Sequence, residues 1–280
     1  MPVDMGELLG DLAAETADLR VLVADLDEPG WRRPTPAAGW TIGDQISHLA
    51  FFDAAAVMSA TEPARFRAEL AGPAETGGLS TDEIAASHRD LTGSDLLAWF
   101  DSSRGRLIAT FGELDPAERL PWFGPSMSAA SSVTARIMET WAHCQDVADA
   151  LEVTREPTAR LRHIAHIGAR ALPFSYAVNG LSPPSEPVRI ELAWSDGQVW
   201  AWGPDDAANL VTGPALDFCL LVTQRRHRDD TAIQARGQVA DQWLGIAQAF
   251  AGPPGPGRQP GQHSTRLGPD SASEGGHPGQ

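Results

Sequence analysis

The segment Thr41-Ile42-Gly43-Asp44-Gln45-Ile46-Ser47-His48-Leu49 has the pattern of a helix start. The Thr41 hydroxyl and the Asp44 carboxylate, three residues apart, form a capping box, which satisfies the free amides of a first helical turn. Apolar residues then follow at roughly the period of one helix face; they are Ile46, Leu49, Phe52 and Val57. The segment therefore predicts a helix from residue 41 to about residue 60.

The same period marks other stretches on both sides of this helix. It predicts helices over about residues 8–26, 81–111, 130–151 and 158–178. We expect a break near Gly93 in the second of these and a kink or stop at Pro173 in the last. Four long amphipathic helices joined by loops are typical of an up-and-down bundle, which we assign to residues 1–180.

The hydrophobic period changes after Pro187. Apolar residues alternate from Val188 to Trp194 and again at Trp200 and Trp202, on either side of a Ser-Asp-Gly-Gln turn. This alternation predicts a β-hairpin. Helices are predicted after it, over about residues 213–225 and 239–250. Residues 187–250 are thus expected to form a second, smaller α+β domain, with a boundary in the proline-rich segment 181–187.

Residues 251–280 differ in composition from the rest of the chain. They are rich in glycine and proline and contain no aromatic residue. Such a segment buries too little apolar surface to offset the entropy lost on ordering. The sequence therefore predicts a disordered tail.

The charge and composition exclude several classes of function. All 21 basic residues are arginine, so lysine chemistry is excluded, and 37 acidic residues give a net charge of −16, which argues against a nucleic-acid partner. The sequence has no long apolar run and no signal-peptide pattern, so we expect no membrane partner. Two cysteines, Cys144 and Cys219, cannot form a disulfide framework, which predicts a cytoplasmic protein.

A candidate metal site lies on the helix predicted over residues 130–151. Glu139 and His143 are four residues apart, so both point from one helix face, and Asp146 follows one turn later. His48 lies well inside the helix predicted over residues 41–60, and it is the natural candidate for a third ligand. Two ligands from one helix and one from another match catalytic zinc sites, which keep a fourth position open. The alternatives are a surface Glu–His pair and a core histidine bonded to a backbone carbonyl.

Other polar residues have a structural and a functional interpretation. Asp44 caps its helix or orients His48, and capping is favoured. The run 225–228 supplies cations to the end of a helix, or else Arg225 binds an anionic substrate group. The two cysteines are interpreted as core residues.

The segments 39–49 and 139–146 resemble the metal motifs of the mycothiol-dependent maleylpyruvate isomerase family. The resemblance implies a DinB-like four-helix bundle followed by a sterol-carrier-protein-like α+β domain. It also implies a divalent metal ion, usually Zn²⁺, at the positions of His48, Glu139 and His143. The segments Trp202-Gly203-Pro204 and 211–218 look more similar to an uncharacterised actinobacterial branch of this family than to the isomerase itself.

The resemblance further implies a chemistry. A metal ion with an open position binds mycothiol as a thiolate, which attacks a small electrophile for isomerisation or thiol transfer. Asp146 is then a proton acceptor or a group that holds a ligand, and Arg225 contacts the substrate. We expect the partners to be the thiol and the electrophile, and the protein to be a monomer or a homodimer. Two alternatives stay open: a metal-braced module that binds an acyl or other small ligand, and a helical domain without metal.

Overall fold

The computed structural model describes residues 4–70, 80–255 and 257–262. Its helices are α1 (Met5–Val23), α2 (Glu28–Trp31), α3 (Ile42–Thr61), α4 (Pro63–Leu70), α5 (Thr81–Ala86), α6 (Gly93–Gly112), α7 (Ala129–Leu151), α8 (Leu161–Arg170), α9 (Leu172–Val178), α10 (Ala215–Val222) and α11 (Gln238–Leu244). Its strands are β1 (Arg119–Leu120), β2 (Met127–Ser128), β3 (Val188–Ala193), β4 (Val199–Trp202), β5 (Asn209–Pro214) and β6 (Gln234–Arg236). The expected mixed α+β fold is confirmed.

The four long helices α1, α3, α6 and α7 form the bundle. α1 and α3 each pack against both α6 and α7. The helices bury leucine, isoleucine and phenylalanine at the predicted spacing, including Leu12, Ile46, Phe100 and Ile137. Burial of these apolar faces is the main force that holds the bundle together.

A buried polar network crosses the centre of the bundle. Arg104 of α6 donates from Nε to Asp53 of α3 at 2.7 Å and from Nη2 to Thr140 of α7 at 3.0 Å. It also donates to Thr16 of α1. Arg104 is 2% exposed and Asp53 is fully buried. One guanidinium therefore joins all four long helices.

The helix predicted over residues 81–111 is two helices in the structure. α5 ends at Ala86, and Thr92 caps α6 by accepting a hydrogen bond from the Asp95 amide at 3.2 Å. Gly93 then lies against Trp31, and a Cβ atom at this position would be only 2.2 Å from the indole ring. The break is therefore set by a local cap and a close contact.

The helix predicted over residues 158–178 is also two helices. Pro173 lies in the first turn of α9, where its missing amide costs no helical hydrogen bond, so it begins a helix there. Helix α2 is absent from the prediction because its four residues are too few to show a helical period, and α4 is absent because charged residues interrupt its apolar pattern. α4 nevertheless buries Phe66, which stacks on Trp122.

The second domain contains a four-stranded sheet in the order β4-β3-β5-β6. β3 and β4 pair antiparallel, as the hairpin pattern predicts, and β5 pairs parallel to β3. The expected helix start at Gly213 is wrong, because Gly213 and Pro214 complete β5 in extended conformation and α10 begins at Ala215. The last helix ends at Leu244, before Gly245, and does not continue to residue 250.

The bundle and the second domain share one apolar core. α10 and α11 pack on the sheet, and α8 packs on both α7 and α10. A single cluster of buried side chains includes Ile137 of the bundle together with Phe218 and Trp243 of the second domain. The second domain is thereby held against one side of α7.

The glycine- and proline-rich segment is described in part. Residues 251–255 and 257–262 form neither helix nor strand, and residues 263–280 of the predicted tail lie outside the described residues. Arg258 reaches back to the bundle, where it donates to Pro36 O and to Asp146 Oδ1, both at 2.5 Å. Within the described ranges, no helix is long and apolar enough to cross a membrane.

The central ion pair gives a stability prediction. We expect Arg104→Met to lower the free energy of unfolding by about 3–5 kcal/mol, because it leaves the Asp53 charge buried without a counter-ion. Arg20→Met is the matched control, because Arg20 pairs with Asp101 at the surface, where an ion pair contributes less than about 1 kcal/mol. Urea unfolding measures both. Equal losses in the two variants would contradict this account of the bundle.

Candidate metal centre

Three side chains with metal-binding atoms converge between α3 and α7. The ligand atoms of His48, Glu139 and His143 all lie within 4.8 Å of one another. Glu139 Oε2 is 3.3 Å from His143 Nε2 and 3.7 Å from His48 Nε2. The helical period of α7 puts Glu139 and His143 one turn apart, and the packing of α3 on α7 brings His48 to them. The structure thus groups the three predicted ligands.

A hydrogen-bond chain fixes which nitrogen of His143 carries the proton. Thr35 donates its hydroxyl to Trp40 O at 3.0 Å, so its oxygen accepts from Gln45 Nε2 at 2.9 Å. The Gln45 amide oxygen therefore faces His143 Nδ1, with which it forms a hydrogen bond. Because an amide oxygen only accepts, Nδ1 is the donor, and in the neutral imidazole Nε2 then presents a lone pair.

In this neutral form of His143, two acceptors face each other in the cluster. The Nε2 lone pair of His143 points to a Glu139 carboxylate oxygen, and two such groups at 3.3 Å repel unless a proton or a metal ion lies between them. Ligand atoms about 2.0–2.2 Å from a tetrahedral ion are about 3.3 Å from each other. Two imidazoles and one carboxylate are a donor set that Zn²⁺ and similar divalent ions accept. The residues therefore fit a metal ion.

Burial and neighbouring groups set the protonation states of His48 and Glu139. Burial, reinforced by the nearby His143, lowers the pKa of His48 to about 4, so this imidazole is neutral at pH 7. Burial alone would raise the pKa of Glu139, but contacts with both histidines and the nearby Arg136 hold it well below its usual value. A neutral imidazole and an ionised carboxylate are the forms that bind metal ions.

Aromatic rings enclose the two histidines. Trp40 stacks on His143 with ring centroids 6.0 Å apart and lies 5.4 Å from the His48 ring. Phe52 covers another side of His48 at 4.6 Å. Trp40 is itself held by a 2.7 Å hydrogen bond from its Nε1 to Asp82. These rings fix the imidazoles and keep water away from them.

Asp146 and Arg225 lie next to the cluster and bind each other. Asp146 is fully buried, with Oδ2 accepting from Arg225 Nη2 at 2.9 Å and Oδ1 accepting from Arg258. No hydrogen bond joins Asp146 to His48 or His143 in the described structure. Arg225 also donates to Ala142 O at 3.2 Å, one residue from His143. The structure therefore places Arg225 against the α7 backbone one residue before His143.

The sequence analysis did not identify Gln45, although its position relative to His48 indicates a role at the site. Gln45 precedes His48 by three residues, so both lie on one face of α3, and a buried amide on such a face needs a partner. It also missed the acidic partner of His163, which is Asp11 at 2.7 Å, because the two are far apart in sequence.

The remaining candidates have the structural roles that were favoured. Asp44 completes the capping box of α3 and also accepts from Arg89 Nε at 2.9 Å. Cys144 and Cys219 are buried in the core. Burial raises the pKa of Cys144 to about 12, so this thiol is unreactive at neutral pH.

Comparison with known proteins decides the family. Residues 12–148 match the family model described as mycothiol maleylpyruvate isomerase N-terminal domain. The chain belongs to the mycothiol-dependent maleylpyruvate isomerase family. Two uncharacterised proteins from two strains of Mycobacterium tuberculosis are 48% identical to it over 255 residues, which is 91% of this chain and 99% of theirs.

Solved structures of this family have the same fold. The crystal structure of the mycothiol-dependent maleylpyruvate isomerase aligns with a TM-score of 0.56 at 17% identity, and that of its mutant with one histidine replaced by alanine aligns with 0.58. Each alignment covers 83% of this chain and 93% of the isomerase. Residues 184–236 match a different model, described as wyosine base formation. The likeness of the second domain to a sterol carrier protein stays a prediction.

The Asp44 cap gives a pH prediction. Burial opposes ionisation of Asp44, but bonds from Arg89 and Thr41 outweigh it and hold its pKa below the usual value. The unfolded state therefore takes up the proton first, so this contribution to stability is present above about pH 4 and is lost as pH falls through the folded pKa. Asp44→Asn should lower the free energy of unfolding by about 1–2 kcal/mol at pH 7.

Urea unfolding from pH 7 to pH 2.5 measures this difference. We expect the gap between the parent and Asp44→Asn to close below about pH 4. Glu83→Gln is the comparison, because Glu83 completes an exposed capping box on α5 without an arginine partner, and its effect should be smaller. A gap for Asp44→Asn that stays constant over this range would contradict the assignment.

Proposed function

We propose that the protein is a divalent-metal-dependent enzyme that activates mycothiol for attack on a small electrophile. His48, Glu139 and His143 hold the ion, which we propose to be Zn²⁺. The observation that carries this proposal is the convergence of three metal-binding side chains, with His143 Nε2 3.3 Å from Glu139 Oε2. The family of the chain and the name of its structural relatives support mycothiol as the thiol.

The ion, when bound, supplies a position at which a thiol loses its proton at neutral pH. The chain's own residues prepare that position. Gln45 holds His143 in the tautomer that exposes Nε2, and Trp40 and Phe52 fix the two rings and limit the access of water. Glu139 has a side chain that is 16% exposed, so solvent and small molecules reach the cluster at this residue.

The second domain contributes an arginine next to the proposed site. Arg225 extends from beyond α10 to the backbone beside His143, and we propose that its remaining N–H groups contact the substrate. Asp146 is assigned to hold Arg225 in place, because both of its oxygens accept from arginines. In this arrangement Asp146 positions a cation and takes no proton from the thiol.

Two reaction classes are open to a thiolate at this site. Addition to an activated double bond, rotation and expulsion of the thiol give isomerisation, and the structural relatives are named isomerases. Displacement of a leaving group gives thiol transfer. The family favours isomerisation, and the two outcomes differ in whether mycothiol is regenerated.

The ligand assignment is tested by metal analysis and a mycothiol-consumption assay. We expect the parent protein to bind one ion per chain, and His48→Ala to lose both the ion and the turnover of maleylpyruvate and related electrophiles. His163→Ala is the matched control, because this histidine pairs with Asp11 on α1. An ion retained by His48→Ala would contradict the ligand set. An ion bound by the parent without thiol-dependent turnover would favour a metal-braced binding module.

The tautomer argument is tested at Gln45. We expect Gln45→Leu to weaken metal binding roughly 10- to 100-fold, because His143 loses the acceptor that orients its ring. Gln45→Glu keeps an acceptor oxygen at the same place and should retain most of the affinity. Competition with a chromophoric chelator measures both constants. Equal affinities for the parent and Gln45→Leu would show that Gln45 does not prepare the ligand.

A further inference from the structure

Arg136 is a buried cation that forms no ion pair with any carboxylate in the described part of the chain. It is 5% exposed, and its Nη1 is shut off from water without a hydrogen-bond partner. Two other arginines are buried among the described residues, and each binds an aspartate: Arg104 with Asp53 and Arg226 with Asp149. Burying a charge without a counter-ion is costly, so such a residue needs an explanation.

The surroundings of Arg136 are aromatic. Its guanidinium carbon lies 5.9 Å from the Phe52 ring centroid and 5.8 Å from that of Trp122. Such contacts stabilise a cation but accept no conventional hydrogen bond. No carboxylate in the described part of the chain lies within ion-pair distance of it. The five N–H groups of the guanidinium therefore lack a protein anion to bind.

Arg136 also lies beside the candidate metal centre. On α7 it precedes Glu139 by three residues and His143 by seven, so all three share one helix face. Phe52 contacts the Arg136 guanidinium and the His48 ring at the same time. An anion bound to Arg136 would thus lie next to the place where the proposed thiol reacts.

We infer that Arg136 binds the carboxylate of the small molecule that reacts at this centre. The guanidinium fork matches a carboxylate, and a single positive charge balances one carboxylate better than a phosphate dianion. Phe52 and Trp122 form an apolar wall suited to a planar, unsaturated body. The inference rests on the proposed function, because it assigns to Arg136 the binding and orientation of the substrate at the same site.

A binding experiment tests the inference without turnover. The probes are trans-cinnamate and trans-cinnamamide, which share a planar body and differ in the carboxylate. Calorimetric titration uses the zinc-loaded parent, Arg136→Met and Arg162→Met. Arg162 is the matched control, because it lies over Trp200 of the second domain, away from the metal centre.

We expect the parent and Arg162→Met to bind cinnamate roughly tenfold or more tightly than cinnamamide, since hydrogen bonds between charged groups are the strong ones. Arg136→Met should bind both probes equally. Survival of the preference in Arg136→Met would overturn the inference. Loss of the preference when zinc is removed from the parent would also overturn the inference, because it would show that the carboxylate binds the ion and not Arg136.

Thermal unfolding separates a binding role from a structural one. Replacing an unpaired buried charge by an apolar side chain of similar length should leave Tm unchanged or raise it, so Arg136→Met should be at least as stable as Arg162→Met. A clear loss of stability would overturn the inference. If Arg136→Met does not fold, Arg136→Lys replaces it, because lysine keeps the charge but lacks the guanidinium fork. The preference of Arg136→Lys for cinnamate should be weaker than that of the parent. An equal preference would overturn the inference.

The two proposals fail in different ways. An Arg136-dependent preference for cinnamate in a protein that consumes no mycothiol would refute the enzymatic proposal and keep the anion site. Mycothiol turnover that is equally fast with carboxylate and amide electrophiles would refute the anion site and keep the enzymatic proposal.

Discussion

The guanidinium of Arg104 is the interaction on which the arrangement of the bundle depends. It joins Thr16, Asp53 and Thr140, and through them the other three long helices. A buried charge tolerates little displacement, because each lost hydrogen bond leaves a polar group without water. Thr140 is adjacent to Glu139, and Asp53 lies in the turn after His48. The network that stabilises the bundle therefore also fixes how α3 faces α7 at the metal centre.

The candidate site brings two metal-binding atoms together at one point and leaves guanidinium donors without an anion from the described residues at another. His143 Nε2 and Glu139 Oε2 face each other, whereas Arg136 Nη1, one turn before Glu139 on α7, has no hydrogen-bond partner in the described structure. Arg136 is buried and the Glu139 side chain is only 16% exposed, so bulk water relieves neither imbalance fully. Our two proposals assign a metal ion to the first place and an anionic substrate to the second.

The sequence predicts those parts of the structure that depend on local spacing. The capping box at Thr41 marks the start of α3, and the four-residue spacing of Glu139 and His143 places them on one face of α7. Most contacts between distant segments are not predicted, because no local pattern specifies them; the approach of His48 to Glu139 and His143 is an exception, and the family resemblance supports it. The parallel pairing of β5 with β3 and the reach of Arg258 to Asp146 are among the contacts that are not predicted.

X-ray absorption at the zinc edge tests the central claim most directly. For the zinc-loaded protein we predict nitrogen and oxygen neighbours at about 2.0–2.2 Å, and a new sulfur neighbour at about 2.3 Å when mycothiol is added. The sulfur signal would show that the ion held by this chain binds the thiol. A zinc spectrum that mycothiol leaves unchanged would contradict the account, because the ion would then have no position for the thiol.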